Sequence, residues 1–156
     1  MYEVKIERMD HEGRGIGYIN SKVTFVPNAL PSESVLCEIT EQKKNYNIAK
    51  VIEYKKKSLQ RSIPFCPYYK QCGGCHLEHI SYEDTIEYKK EKVENILAKE
   101  KIEHPEIQVI ENPSPKNYRN KLSLKIKASQ IGFYQEKTNH LIEIKDCALA
   151  NSSINE

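Results

Sequence analysis

The chain has 156 residues, room for one ordinary domain or two small ones, and small domains bury so little surface that a metal staple helps them fold. Charged residues make up 29% and nearly cancel to a net +2, which argues against wholesale disorder although hydrophobic residues reach only 38%. No run of about 18 apolar residues occurs, and Met1-Tyr2-Glu3-Val4-Lys5 lacks the basic-then-apolar pattern of a secretory signal. The expectation is therefore a cytoplasmic chain with no membrane partner, whose five cysteines are reduced thiols.

Tyr2, Val4 and Ile6 alternate with Glu3, Lys5 and Glu7, the pattern of a half-buried strand. Asp10 to Gly17 holds three glycines and predicts a turn. Its Gly13-Arg14-Gly15-Ile16-Gly17 lacks both the spacing and the following helix of a dinucleotide loop. Tyr18-Ile19 and Val23 to Val26 flank Asn20-Ser21-Lys22, a hairpin signal. Pro27 to Ser34 is a loop. Val35, Cys37 and Ile39 alternate with Leu36, Glu38 and Thr40, which points Cys37 into a core. Tyr46 to Tyr54 supplies a last strand, and five short strands in residues 1–57 predict a small OB-like barrel.

Pro64 and Pro67 punctuate a boundary, and Cys66 to Cys75 is a cysteine-rich loop. Ser81 with Asp84 resembles a capping box and starts a helix, with an apolar stripe of Tyr82, Ile86, Val93, Ile96 and Leu97 and an end before Pro105. Strand-like runs follow at 108–110, 121–127, 131–134 and 141–144. The predicted class is α+β, mostly β: a barrel over 1–57, then a loop, one helix and a small antiparallel β domain over 58–156, the latter expected to be incomplete. Charge is uneven along the chain. Residues 43–61 hold seven basic side chains and one acid, and residues 114–127 hold five basic side chains and no acid. Such blocks are candidate phosphate contacts, or simply solvated loops.

Cys66, Cys72 and Cys75 are spaced C-x5-C-x2-C, with Cys147 a distant fourth. Four thiolates suit zinc or an iron–sulfur cluster, and three close ligands plus a remote one favour the cluster over zinc, whose ligands more often come two and two. Gly73 and Gly74 would let the backbone wrap a bulky centre. Cys72-Gly73-Gly74-Cys75-His76 also fits a c-type haem attachment pattern, but without an export signal. A C-x-x-C redox pair would want a βαβ setting. A radical centre would want three cysteines, not four. Unrelated reduced thiols are the bland alternative.

Cys66-Pro67, Cys72-Gly73-Gly74-Cys75, His79, Tyr82, Ile86, Lys89 and Val93 together resemble the cluster loop and following helix of the RNA (uracil-5-)-methyltransferases. Tyr118-Arg119-Asn120-Lys121, and Ile131-Gly132-Phe133-Tyr134 onward to Asp146-Cys147, resemble that family's central β domain. Asp10 to Gly17 and Phe25 to Pro31 make the first 57 residues similar to a TRAM domain, the RNA-binding barrel of the ribosomal RNA members. Ser32 stands where the family usually has Gly, and His76 where Gln is common.

The resemblance implies a [4Fe-4S] cluster on Cys66, Cys72, Cys75 and Cys147. It also implies S-adenosylmethionine-dependent methylation of uracil C5 in 23S ribosomal RNA. The donor site and the nucleophilic cysteine belong to a further domain that these residues do not include. No catalytic residue is assigned here, and the chain alone is expected to be inactive. Lys43, Lys44, Tyr46, Lys50 and Arg61 are the RNA-contact candidates on the TRAM side, with Arg119 and Lys121 on the central domain. The alternatives are a standalone iron–sulfur protein that binds RNA or senses redox state, and a zinc-stabilised structural adaptor.

Overall fold

In the computed structural model, which describes all of residues 1–156, the first 56 residues form six strands rather than five. These are β1 (Tyr2–Lys5), β2 (Arg8–Met9), β3 (Gly15–Ile19), β4 (Lys22–Val26), β5 (Ser34–Gln42) and β6 (Tyr46–Lys56). They make one sheet in the order β1-β5-β6-β4-β3-β2. Only β4 and β6 run parallel. The expected first strand is broken at Ile6-Glu7, so that β1 pairs with β5 while β2 pairs with β3.

One N-terminal segment therefore serves both edges of the sheet. Ile6 N donates to Glu33 O and Glu7 N to Ile16 O, each at 2.9 Å, carrying the chain from one edge to the other. No ladder joins β1 to β2, so the closed barrel expected from the strand pattern is corrected to an open, curled sheet. The curl brings backbone close at Gly17, where a Cβ would lie 2.4 Å from Val4 Cγ1 and 2.5 Å from Lys5 O. Asn20 and Ser21 both take left-handed φ (49° and 63°), the two-residue turn that matches strand twist, and Lys22 belongs to β4. Val4, Ile6, Val26, Ala29, Val35, Cys37 and Ala49 form the core, each at most 1% exposed, with Cys37 inward as expected.

The chain divides into two compact units, residues 1–62 with 79–81 and residues 63–78 with 82–156. The second contains α1 (Tyr82–Lys99), the sheet β7 (Lys125–Lys127), β8 (Gln130–Tyr134) and β9 (Leu141–Glu143), and the short α2 (Ser152–Asn155). Helix α1 ends well before Pro105. Lys101 takes φ 56°, Lys101 N donates to Ala98 O and Ile102 N to Leu97 O, so two terminal carbonyls are satisfied without glycine. The α1 stripe is less buried than its periodicity predicts, with Val93 and Ile96 exposed. Residues 108–110 are not a strand: Ile110 is 97% exposed and no neighbour pairs with the segment. The run 121–127 shortens to β7, an edge strand exposed on both faces. No helix is long and apolar enough to cross a membrane.

Candidate functional site

In the second unit, Cys66, Cys72, Cys75 and Cys147 line one cavity, together with Tyr68, Glu78, Arg119 and Phe133. None of the five cysteines is in a disulfide. The first three arrive on a tight loop: Tyr69 N donates to Cys66 O, and Gln71 N and Cys72 N both donate to Tyr68 O. Gly73 is required for packing rather than for a bulky guest. Its N donates to Tyr134 O at 3.0 Å, and a Cβ there would lie 2.8 Å from Glu136 N. Gly74 does face sulfur, since its Cβ would stand 3.3 Å from Cys72 Sγ, and its N donates to that sulfur at 3.4 Å.

Cys147 reaches the cavity from the far end of the chain by its own set of bonds. Lys145 N donates to Tyr68 Oη at 3.1 Å, tying the approach to the cysteine loop. Asn155 of α2 holds Cys147 twice, with Oδ1 accepting from Cys147 N at 3.0 Å and Nδ2 donating to Cys147 O at 3.2 Å. Tyr68, Glu78 and Asn155 were missed in the sequence. Tyrosine and asparagine are common surface residues, and only the distant partner reveals their task.

Burial pushes the Cys66 thiol up from its ordinary value. Cys75 is pushed up to about 12, first by burial and then by the charge and hydrogen bond of Glu78, while Arg119 pulls the other way. The donor set is soft and carries no competing imidazole. Raised in this way, the metal-free Cys66 and Cys75 thiols stay protonated at neutral pH, so loading must displace their protons, as thiolate ligation requires. All four sulfurs belong to residues of one lining, although no three His, Cys, Asp or Glu side chains stand in a group that could hold a metal ion.

The first unit separates the basic candidates by what they touch. Lys43 follows β5, with Nζ 3.0 Å from Glu41, whose hydrogen bond raises its pKa, and its carbonyl accepts from Lys22 Nζ. Lys44 is exposed in the same turn. Tyr46 opens β6, part-exposed and edge-on to Phe25, with ring centroids 5.5 Å apart. Lys50 stands on β6 opposite Glu38 of β5.

Arg61 has a structural task. Its Nε and Nη2 donate to the two oxygens of the fully buried Glu33 at 2.6 and 2.7 Å, Nη2 also donates to Asn28 O, and the guanidinium lies over Tyr54. Burial pushes the Glu33 carboxyl up, but hydrogen bonds from Arg61, Leu30 N and Ser58 N outweigh it and hold it below the usual range. In the second unit Lys121 is exposed, whereas Lys116 sits 4.6 Å over the Phe65 ring.

Residues 1–52 match the family model of the TRAM domain. The chain is 37% identical to an uncharacterized RNA methyltransferase of Streptococcus agalactiae, over 98% of this chain and 36% of that protein. It is 35% identical to one of Clostridium acetobutylicum, over 99% of this chain and 35% of the relative. The chain thus spans about a third of the length of the curated relatives it matches. Its fold is similar to that of the Pyrococcus abyssi tRNA (uracil-54, C5)-methyltransferase, solved with S-adenosyl-L-homocysteine, with TM-score 0.71, 22% identity, and coverage of 98% of this chain and 34% of that one.

Proposed function

Because the chain belongs to the RNA methyltransferases that carry a TRAM domain, as a segment about a third of its relatives' length, we propose that it is the RNA-recognition part of such an enzyme and holds a [4Fe-4S] cluster on Cys66, Cys72, Cys75 and Cys147. The observation that carries this reading is that four cysteines, three on one loop and one far along the chain, line a single cavity. Three close cysteines with one remote partner suit a cluster better than one zinc ion, whose ligands more often come two and two. When bound, the cluster would tie four chain positions together and offset part of the charge of four thiolates.

The chain's own residues do the rest. Tyr68 and Asn155 hold the two ends of the ligand set in place. Lys44, Lys50 and Tyr46 on β6 and its turn, and Lys121 in the second unit, offer charge and one supported aromatic face to RNA. The methyl donor, S-adenosylmethionine, and the attack on uracil C6 are assigned to the remainder of such an enzyme, with ribosomal RNA as the substrate class.

The test has two arms. Anaerobically prepared chain should carry iron and acid-labile sulfide in near-equal amounts. Stoichiometric zinc without sulfide would replace the cluster by a structural zinc site. In the second arm, affinity for ribosomal RNA fragments and for transfer RNA is measured against salt. Binding should weaken as salt rises, and Lys44→Gln and Lys121→Gln should each lower the slope by about one counterion. Lys43→Gln should change it less, because Lys43 is already paired with Glu41. Absence of RNA binding at low salt with the metal in place would defeat the recognition role.

A further inference from the structure

Arg119, in the Tyr-Arg-Asn-Lys run, is stitched to the segment that follows the fourth cysteine. Arg119 N donates to Leu149 O at 2.8 Å and Asn151 N to Arg119 O at 2.9 Å, making an isolated parallel bridge with Ala150. Asn117 N donates to Ala148 O at 3.1 Å, extending the same seam. The side chain then lines the cavity that the four cysteines line, hydrogen-bonded to Tyr118, with its guanidinium carbon 5.9 Å from that ring. No carboxylate forms a salt bridge with it, although Glu78 and Asp146 also line the cavity.

The placement contrasts with that of two other arginines. Arg61 is held by Glu33 and Arg14 by Asp10. Arg119 shares the lining of the cysteine cavity and has no carboxylate within salt-bridge distance. The bond to Tyr118 raises the guanidinium's pKa most, with Cys75 and Cys147 adding to it.

We propose that Arg119 is the charge-compensating residue of the four-cysteine site, offsetting the negative charge that four thiolates place in the cavity and easing the uptake of one further electron by a cluster held there. The proposal rests on the [4Fe-4S] reading above. Its sign follows from electrostatics: an added electron is favoured by a nearby fixed cation, and deleting the cation lowers the reduction potential. Solvent reaches the guanidinium, which is exposed, so the effect is moderated by screening.

The experiment compares wild type, Arg119→Gln and Arg119→Lys, each as the full 156-residue chain reconstituted with iron and sulfide. Iron and sulfide are assayed, and the midpoint potential is read by electron paramagnetic resonance during titration with dithionite, the electron donor, in the presence of mediators. Arg119→Gln should make electron uptake about tenfold less favourable, a fall of about 59 mV for a one-electron couple. Arg119→Lys, which keeps the charge, should recover most of that loss. If Arg119→Gln fails to assemble while Arg119→Lys assembles with near-normal potential, the need for a cation is also supported. An Arg119→Gln chain that holds iron and sulfide at an unchanged midpoint overturns the proposal, as does an Arg119→Lys chain that behaves like Arg119→Gln. A wild type that takes up no iron and sulfide removes the cluster reading itself, and the proposal with it.

Discussion

The two units are held together by different physics. The first buries a continuous apolar core in which Val4, Val26, Val35, Cys37 and Ala49 are out of contact with water. In the second, the buried apolar side chains are Leu141, Leu149 and Ala150, while Ile96, Ile110, Ile126 and Ile131 are exposed. A unit with so thin a core needs other ties, and the second has them: Tyr68 to Lys145, Asn155 to Cys147, Arg119 to Leu149 and Asn151, and the four thiols round one cavity. Hydrophobic burial makes the first unit self-sufficient. On the proposed cluster reading, the second gains its stability when the sulfurs are occupied.

Metal removal should produce the largest contrast. Structural metal binding contributes on the order of 10 kcal/mol in small domains that have no stable apo form. Chelation, or Cys75→Ser, should therefore abolish hydrogen-exchange protection across β7, β8 and β9 while leaving β3, β4, β5 and β6 protected. Mass spectrometry of exchanged peptides reads both units in one sample. Protection kept in 125–143 after complete metal removal would break the comparison.

Acid should act on the first unit, with an intermediate effect. His79 is buried there, and burial first, then the Arg61 cation, pushes its pKa down from 6.5 to about 4. The unfolded chain thus takes up a proton that the folded chain refuses. Stability is full above pH 6.5 and falls as pH drops towards 4, by at most about 3 kcal/mol. Glu33, also held below its usual range, extends the loss to lower pH. Urea midpoints against pH check this, and His79→Gln should flatten the slope between pH 4 and 6.5. An unchanged slope in that variant would assign the acid sensitivity elsewhere.

The smallest expected effect is a gain. Ser32 carries a left-handed φ of 68°, at the position where glycine is usual in the resembling family. Its hydroxyl contact with Ser58 is long, at 3.4 Å, so little is lost with the side chain. Ser32→Gly should stabilise the first unit by about 1 kcal/mol, through relief of the left-handed penalty offset by backbone entropy. Thermal unfolding followed by circular dichroism measures it, and a lower midpoint would show that the hydroxyl matters more than the backbone.

Much of the first unit was legible because alternation in a half-buried strand is a local signal. Val35, Cys37 and Ile39 announced β5, and Asn20-Ser21 announced the turn between β3 and β4. The break at Ile6-Glu7 was not legible, since nothing local says that one strand must serve two edges. The four cysteines were conspicuous by type and spacing, and their gathering on one cavity agrees with that spacing. Charge by itself did not show which basic side chains are engaged within the protein. In the block at 43–61, Lys43 is paired with Glu41 and Arg61 with Glu33, 28 residues away.

Sequence alone determined the strand-rich class and the α1 helix and singled out four cysteines as candidate ligands, because periodicity, capping and thiol chemistry are properties of neighbouring residues. Only the tertiary structure decided the open curl of the first sheet, the packing need behind Gly73, the bonds of Tyr68 to Lys145 and of Asn155 to Cys147, and the place of Arg119 on the cysteine cavity. Each of these depends on groups far apart in the chain. Coulombic and hydrogen-bond energies depend on distance in space, and folding alone sets that distance.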